Sequence, residues 1–347
     1  MRWTWSGQAA ARTVEDMTTT TRLGARGLGR TGPTVSSPGL GGMALSGAYG
    51  PVDDDEGVRV LRAYLDAGGT LLDTGDFYGA GHNELLIRRA LEGRDRDEVV
   101  LSVKFGAMRG PDGGHSGIDA RPAAVRNFLT YSLRRLGVDH VDVYRPARLD
   151  PSVPVEDTVG AIAELVEKGY VRHIGLSEVG AETIRRASAV APICDVQLEY
   201  SLFSRGIEDA ILPVCRELGI GVTAYGVLAR GLIGGSGTLG GMRAMTPRFQ
   251  GANREHNAAL AARLEELAEA KGASVAQLAI AWVAAQGEDI VPVVGSRRLD
   301  QVGTLVGSGR VSFDAEELAR IEDLVPRGAA RGDRYPSRHM ADLDSER

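Results

Sequence analysis

Three residues suited to acid–base chemistry follow two apolar runs of the chain. Asp73 lies near the end of TLLDT, Tyr78 comes shortly after it, and Lys104 lies near the end of VVLSVKF. A tyrosine with an ordinary pKa of about 10 is a poor acid at neutral pH, whereas a neighbouring ammonium lowers the pKa of the phenol. If the three side chains meet, we expect Lys104 to lower the pKa of Tyr78 and Asp73 to keep Lys104 charged. The trio then predicts proton delivery to a substrate.

Each residue also has a structural interpretation. An aspartate at the end of a strand can cap the next turn, and a tyrosine can pack its ring while its hydroxyl remains exposed to solvent. A lysine can extend its stem along apolar surface with the ammonium in water. The trio alone leaves both interpretations open, so the elements that position it must be considered.

From residue 35 onward, short runs rich in β-branched residues alternate with amphipathic segments at helical spacing. A first strand is predicted near residues 35–43, and further strands at 70–74, 99–105, 140–146, 173–178, 195–201, 220–226 and 289–295. Such alternation predicts a parallel sheet, and eight units close most naturally into a (β/α)8 TIM barrel, with an open doubly wound sheet as the alternative. In a barrel Asp73, Tyr78 and Lys104 share the C-terminal rim.

The domain organisation follows from the same pattern. Residues 1–20 are predicted to be a flexible N-terminal extension, and residues 21–347 a single barrel domain. A Gly-rich loop at 229–252 follows the seventh strand, and a tail at 327–347 follows the last helix. Loops of that length are usually functional lids or disordered, and both segments are placed to reach the C-terminal rim. Single glycines are predicted to end five helices, at Gly68, Gly93, Gly137, Gly169 and Gly219.

Composition excludes several classes of function. The net charge of -6 argues against nucleic-acid binding, which needs clustered Lys and Arg. No stretch approaches the roughly 20 apolar residues of a membrane span, and the first residues lack the apolar core of a secretory signal. Two cysteines, Cys194 and Cys215, suit a reducing compartment, so we expect a cytoplasmic protein. The six histidines lack metal-binding spacing, so no metal site is predicted.

Two glycine motifs match a dinucleotide-binding fingerprint by letter only. GLGGMA at 39–44 and GSGTLG at 235–240 do not open a helix after a strand, as that fingerprint requires. The acidic run at 53–56 precedes an amphipathic segment and is interpreted as a helix cap, not as a cation site.

Several longer strings occur in an order and spacing similar to the aldo-keto reductase family. They are LLDTGDFYGAGHNE, VVLSVKFG, GYVRHIGLSE, VQLEYSLFSR, VTAYGVLARGL and VPVVGSRR. The resemblance extends from about residue 22 to the end of the chain. It implies a barrel that binds NAD(P)H along its rim and transfers hydride to a small-molecule aldehyde or ketone. Asp73, Tyr78 and Lys104 then take the catalytic positions, with Tyr78 as proton donor.

The resemblance also implies cofactor contacts. The matching positions are Ser177 and Gln197 for the nicotinamide carboxamide, Tyr225 for stacking on the nicotinamide ring, and Gly42 and Met43 near the cofactor. Ser296, Arg297 and Arg298 open the last helix of the barrel, where the family receives the adenosine 2′-phosphate. Two arginines there favour NADPH over NADH, because arginine makes bidentate phosphate contacts. A solvated arginine pair is the alternative.

The chain departs from the family pattern in two places. Ala147 stands where the family has a histidine that orients the substrate carbonyl, and Glu178 follows Ser177 where many relatives have asparagine. Tyr49, Ala147 and Arg148 are candidate neighbours of the substrate. Loss of the imidazole keeps a second hypothesis open, a barrel that binds NADPH with little or no turnover, in the manner of the potassium-channel beta subunits. An oligomer is possible under either hypothesis.

Overall fold

Eight parallel strands form a closed barrel in this computed structural model, which describes residues 23–235 and 240–346. The strands are β1 (Gly39–Gly41), β2 (Leu71–Gly75), β3 (Val100–Phe105), β4 (Val141–Pro146), β5 (Val171–Ser177), β6 (Ile193–Glu199), β7 (Gly221–Tyr225) and β8 (Ile290–Gly295). Strand β1 closes the barrel, since Gly41 pairs with Gly295 of β8 and with Asp73 of β2. The predicted barrel is therefore confirmed. The open sheet is excluded.

Helices connect the strands on the outside of the barrel. They are α1 (Asp54–Asp66), α2 (His82–Leu91), α3 (Pro122–Leu136), α4 (Val155–Glu167), α5 (Ala181–Val190), α6 (Ile211–Leu218), α7 (Gly251–Ala262), α8 (Glu265–Ala270), α9 (Val275–Ala285), α10 (Leu299–Gly307), α11 (Ala315–Leu324) and α12 (Ser337–Met340). Asp53 caps α1 by accepting from the amides of Asp55 and Glu56, which confirms the predicted cap. All five predicted helix-ending glycines have φ between 70° and 84°.

Two antiparallel hairpins add to the barrel, and the sequence pattern did not predict either of them as a pair of strands. The first joins Gly24–Gly27 to Thr34–Ser37. Its Leu28 and Val35 pack in a small apolar cluster with barrel residues that include Leu71 and Val143. The second, which we call the rim hairpin, joins Ala107–Arg109 to His115–Ile118 directly after β3. It is therefore anchored at the same rim as Lys104.

An ion pair lies in the interior of the barrel. Arg145 of β4 and Asp195 of β6 are both fully buried, with 3.0 Å between the guanidinium and the carboxylate. Arg145 also donates to Ser102 Oγ at 2.9 Å and to Thr223 Oγ1 at 3.0 Å. Gly175 of β5 leaves the space that the pair needs, since a Cβ there would lie 2.7 Å from Asp195 Oδ1. Strands β3, β4, β6 and β7 are thus connected through polar side chains.

The described parts of both irregular segments named from the sequence lie over the C-terminal rim. In the part of the 229–252 loop that is described, three short 3-10 helices form at Ala229–Gly231, Gly241–Met245 and Pro247–Phe249. The loop and the tail are bonded to each other, because Arg248 Nε donates to Gly332 O at 3.1 Å. Asn257 of α7 likewise donates to Arg331 O at 2.9 Å. The predicted position of the tail is confirmed.

Some sequence predictions fall outside the described residues. These are the N-terminal extension at residues 1–20 and most of the GSGTLG motif, of which residues 236–239 are not described. The other glycine motif forms β1 followed by a 3-10 helix at Gly42–Leu45, which is not the context of a dinucleotide fingerprint. In the two described ranges, no helix has both the length and the apolar character to cross a bilayer.

The interior ion pair leads to a prediction for stability. Asp195→Ala leaves Arg145 charged and buried without a counter-ion, so we expect the free energy of unfolding to fall by about 3–5 kcal/mol. The double variant Arg145→Met/Asp195→Ala removes both charges and is expected to recover most of that loss. Chemical denaturation followed by circular dichroism measures both effects. Glu217→Gln, which breaks an exposed pair with Arg185, is the matched control, and an equally small effect of Asp195→Ala would contradict the prediction.

Candidate active site

The three residues singled out for acid–base chemistry meet at the C-terminal rim of the barrel. Asp73 and Lys104 lie on the neighbouring strands β2 and β3, and the ammonium of Lys104 donates to Asp73 Oδ1. Lys104 Nζ also lies 5.1 Å from the centre of the Tyr78 ring. All three side chains are buried, with exposed fractions of 4 to 9 %. Barrel topology therefore brings together residues that are far apart in the chain.

The carboxylate of Asp73 is the centre of a hydrogen-bond network. Its Oδ2 accepts from Ser102 Oγ at 2.9 Å and from Gln197 Nε2 at 2.8 Å, in addition to the ammonium at Oδ1. Ser102 in turn accepts from the buried guanidinium of Arg145 at 2.9 Å. The network holds Asp73 in one orientation and ties it to the interior ion pair.

Charges in this network shift the pKa values of its members. Burial acts to raise the pKa of Asp73, but the charges of Lys104 and Arg145 together with the hydrogen bonds hold it below its usual value. Burial lowers the pKa of Lys104, an effect that Asp73 opposes and Arg145 reinforces. Asp73 therefore stays ionised, while Lys104 releases a proton more readily than an exposed lysine.

Tyr78 differs from the expectation drawn from the sequence. Burial, followed by the negative charge of Asp73, raises the pKa of Tyr78 well above its usual value, and Arg148 acts in the opposite direction. The pKa of Tyr78 is not lowered as expected from the nearby Lys104, because desolvation of the phenolate has the larger effect. Tyr78 therefore carries its proton throughout the neutral range, which suits a proton donor. Its hydroxyl makes no hydrogen bond to the described residues.

The residues matched to cofactor contacts follow one another around the rim. Ser177, Gln197 and Tyr225 end or lie near the ends of β5, β6 and β7, and Ser296 follows β8. The hydroxyls of Ser177 and Ser296 are buried and have no partner among the described residues. Buried polar groups are rarely left unpaired in native proteins, so these hydroxyls fit groups that bond to a ligand. Gly42 and Met43 lie in the 3-10 helix that follows β1.

The two arginines before α10 have different environments. Arg297 donates to the carbonyl oxygens of Tyr49 at 3.0 Å and Pro51 at 2.8 Å, so it ties this segment to the loop after β1. Arg298 holds the N-cap position of α10 without a capping hydrogen bond from its side chain, and it makes an exposed bidentate pair with Asp300, at 2.9 Å for both bonds. Arg298 is the more exposed of the two, and an anionic ligand that binds it competes with Asp300.

Glu178 is bound by the C-terminal tail, a contact that sequence reasoning missed. Arg334 donates to both carboxylate oxygens of Glu178 at 2.6 and 2.9 Å, and Ser345 Oγ donates at 2.6 Å. Burial acts to raise the pKa of Glu178, yet Arg334 lowers it to about 2. We call this contact the tail latch. No spacing rule links residue 178 to residue 334, although the unmatched carboxylate at the rim was a signal that a cation must be near.

Tyr335 continues the tail over the rim. Its hydroxyl lies 2.9 Å from that of Tyr225, which itself donates to Glu178 Oε1 at 2.8 Å. The Arg230 guanidinium lies 4.1 Å from the centre of the Tyr335 ring. The tail therefore contacts the side chain that the sequence assigned to nicotinamide stacking.

The residues predicted to lie near the substrate are found in two places at the rim. Ala147 is buried directly after β4 and presents only a methyl group where an imidazole was expected. Arg148 donates to the Ala147 carbonyl at 2.6 Å and lies 6.0 Å from the centre of the Tyr335 ring. Tyr49 lies nearer to β8, with the Arg243 guanidinium 4.8 Å from its ring centre.

Known proteins are similar to this chain in sequence and in fold. A family model described as the aldo/keto reductase family matches residues 39–326. A probable aldo-keto reductase from Glycine max is 42% identical over 316 residues, which cover 89% of this chain and 90% of that protein. A glycerol dehydrogenase from Gluconobacter oxydans has a TM-score of 0.78 at 30% identity, covering 91% of this chain and 98% of its own. A Bacillus halodurans aldo-keto reductase in its holo form has a TM-score of 0.72 at 25% identity, with coverages of 89% and 98%.

The tail latch leads to a prediction with a pH signature. Glu178→Gln leaves Arg334 without its main counter-ion, so we expect the free energy of unfolding at pH 7 to fall by about 3 kcal/mol. Because the pKa of Glu178 falls from 4.5 to about 2 on folding, its contribution is present above pH 4.5 and disappears as the pH falls toward 2. The difference between wild type and variant, measured by denaturation at several pH values, should shrink over that range.

A control separates this effect from general acid denaturation. Glu156→Gln breaks an exposed pair with Arg186 and should show little difference from wild type at any pH. Limited proteolysis should also cleave the tail sooner in Glu178→Gln than in the control. A difference for Glu178→Gln that does not change with pH would contradict the assigned pKa shift.

Proposed function

Because the chain belongs to the aldo-keto reductase family, we propose that it is an NADPH-dependent reductase that converts an aldehyde or ketone into an alcohol, with Tyr78 as the proton donor. The protein is thus an NAD(P)H-dependent oxidoreductase, and the family acts on small carbonyl compounds. One observation carries the proposal, the meeting of Asp73, Tyr78 and Lys104 at the C-terminal rim. That rim is the place where barrels of this kind carry their chemistry.

The proposed mechanism assigns one role to each member of the trio. When bound, the reduced nicotinamide supplies the hydride that is added to the carbonyl carbon. Tyr78 donates its hydroxyl proton to the carbonyl oxygen as negative charge develops there. The ammonium of Lys104 then stabilises the phenolate that is left, and Asp73 keeps that ammonium charged and oriented. A donor that is protonated at neutral pH suits reduction better than oxidation.

The residues along β5 to β8 fit the cofactor. Gln197 uses its Nε2 on Asp73, while its Oε1 has no partner among the described residues and is free to accept from a carboxamide. The buried, unpaired hydroxyl of Ser177 is suited to the same amide. Tyr225 offers its ring at the end of β7. Arg298, at the N-terminus of α10, is the proposed contact for the 2′-phosphate, where the helix dipole also favours an anion.

A second candidate function follows from Ala147. A methyl group cannot donate a hydrogen bond to the carbonyl oxygen, and loss of one such donor can lower a rate by about a hundredfold to a thousandfold. The same barrel could then bind NADPH with little turnover. Such a protein would bind the cofactor tightly but would not oxidise it in the presence of any carbonyl compound.

The first test is the loss of the proposed proton donor. We expect purified wild-type protein to oxidise NADPH in the presence of aldehydes, followed by absorbance at 340 nm. Tyr78→Phe should lower kcat by about 10²–10⁴ while leaving the Kd for NADPH, measured by fluorescence quenching, within twofold of wild type. Tyr131→Phe, at an exposed position, is the control. NADPH binding without turnover in wild type would favour the second candidate, and turnover that survives Tyr78→Phe would exclude Tyr78 as the donor.

The second test concerns the choice of cofactor. Arg298→Gln removes one charged contact to the 2′-phosphate, so the Kd for NADPH should rise by roughly tenfold to a hundredfold, while the Kd for NADH stays unchanged. Arg320→Gln, which breaks an exposed pair with Glu266, serves as the matched control. If the Kd values for NADPH and NADH rose equally, Arg298 would act by stabilising α10 and not by binding the 2′-phosphate.

A further inference from the structure

The rim of the barrel is divided between two groups of strands. The residues proposed for the cofactor lie on β5 to β8 and β1, which are adjacent in the closed barrel. The remaining arc consists of β2, β3 and β4, and it carries Tyr78, the rim hairpin and the segment Ala147 to Arg148. A substrate that receives a proton from Tyr78 therefore contacts this second arc.

Besides Lys104 itself, this arc carries a second cation close to the catalytic trio, Arg148. The amide of Ala147 donates to the Phe105 carbonyl at 2.8 Å, so Arg148 follows a residue that is paired directly beside Lys104. The charge of Arg148 also acts to lower the pKa values of Tyr78 and Lys104. Its one hydrogen bond among the described residues runs from NH1 to the backbone oxygen of Ala147 at 2.6 Å. The edge of the guanidinium formed by Nε and NH2 therefore keeps its donors available.

The charged groups that face Arg148 act on it in opposite directions, since Glu178 favours its protonated form and Arg334 disfavours it. Arg334 and Glu178 from the tail and β5 pair with each other, and Tyr335 presents a ring. The rim hairpin adds Arg109, whose guanidinium lies 5.7 Å from the centre of the Phe77 ring, and His115, whose ring lies 6.0 Å from His339. Asp342 of the tail lies 3.7 Å from His339, and Asp150, two residues after Arg148, accepts from Ser152 Oγ and the amide of Ala120. Neither Arg109 nor Arg148 forms an ion pair with a described residue.

Arg148 differs from three other arginines at the rim. Arg230, Arg248 and Arg334 each have a carboxylate within 3.6 Å. Removing a charge from water without a partner is costly, and a ligand that brings the counter-ion removes that cost. The free edge of Arg148 has two parallel donors, the geometry that matches the two oxygens of a carboxylate.

From this arrangement we infer that the substrate is a carbonyl compound that carries a carboxylate, and that Arg148 binds this carboxylate through its Nε and NH2 donors while Tyr78 protonates the carbonyl oxygen. The inference rests on the proposed reductase function and narrows its substrate class. Arg148 is a binding residue in this role. By holding the carboxylate, Arg148 orients the substrate carbonyl toward Tyr78. In the family pattern an imidazole at position 147 orients the carbonyl.

The test compares matched acid and ester substrates. We use 4-oxobutanoate and its methyl ester, together with the homologues that are one and two methylenes longer, because one chain length should fit best. For the best acid, kcat/KM in wild type should exceed that of its ester by at least tenfold. Arg148→Met should lower the ratio of kcat/KM for the acid to kcat/KM for the ester by between about tenfold and a hundredfold, mainly through a higher KM for the acid. Arg148→Lys should restore part of the preference, since it retains the charge without the fork.

Two further measurements complete the design. Arg134→Met, at an exposed position on α3, is the charge-matched control and should behave as wild type toward both substrates. Calorimetric titration of 4-oxobutanoate into the protein, alone and with NADP+, gives a readout that needs no turnover. Binding should weaken in Arg148→Met but not in Arg134→Met.

The outcomes separate the two proposals. Equal loss of kcat for acid and ester in Arg148→Met would mean that Arg148 polarises the carbonyl, and it would overturn the inference. Unchanged acid turnover and unchanged acid binding in that variant would overturn it as well. Failure of every aldehyde to support Tyr78-dependent turnover would instead reject the reductase function, and the calorimetry would still decide whether Arg148 binds the carboxylate.

Discussion

The carboxylate of Asp73 is the point on which the site depends. It is buried, it remains ionised, and it accepts from side chains of β3 and β6 at the same time. A buried anion of this kind is stable only when donors surround it, and each donor here comes from a strand whose place is set by barrel closure. The orientation of Lys104, and through it the environment of Tyr78, follows from that constraint. The fold and the chemistry are thus linked through one group.

A second set of charges works at the rim. Glu178 and Arg334 hold the tail over the ends of β5 and β7, and Tyr335 contacts Tyr225 at the proposed nicotinamide position. Access to that position is therefore coupled to a buried ion pair made by a segment more than 150 residues away in the sequence. The arc formed by β2, β3 and β4 is covered differently, by the rim hairpin and the guanidinium of Arg148.

Much of the fold was predictable because its signals are local. Alternating β-branched runs and amphipathic segments predicted the eight strands, and the glycines at the helix ends predicted where helices stop. Asp73, Tyr78 and Lys104 were predicted to meet because parallel strands of a barrel end at one rim. Their roles remain a proposal.

Other features depend on long-range contacts that leave no pattern in the sequence. The tail latch could be predicted only if the path of the tail from the last helix back to Glu178 were known. The pair between Arg145 and Asp195 could be predicted only from the width of the barrel interior. The pKa of Tyr78 was predicted in the wrong direction because burial of the phenol, which the sequence does not show, has the larger effect. Short antiparallel hairpins were also missed, since their strands have only three or four residues.

The space beside Gly175 restricts how the sequence of the barrel interior can change during evolution. Arg145, Asp195 and the missing Cβ at position 175 belong to three strands, and the two charged side chains need both each other and the space that Gly175 leaves. A single substitution at any of them produces either an unpaired buried charge or a steric clash. Descendants of this chain can therefore reach an apolar interior only by passing through a less stable intermediate or by changing two positions together. The three residues form an epistatic unit, and we expect them to be inherited as a set among its nearest relatives.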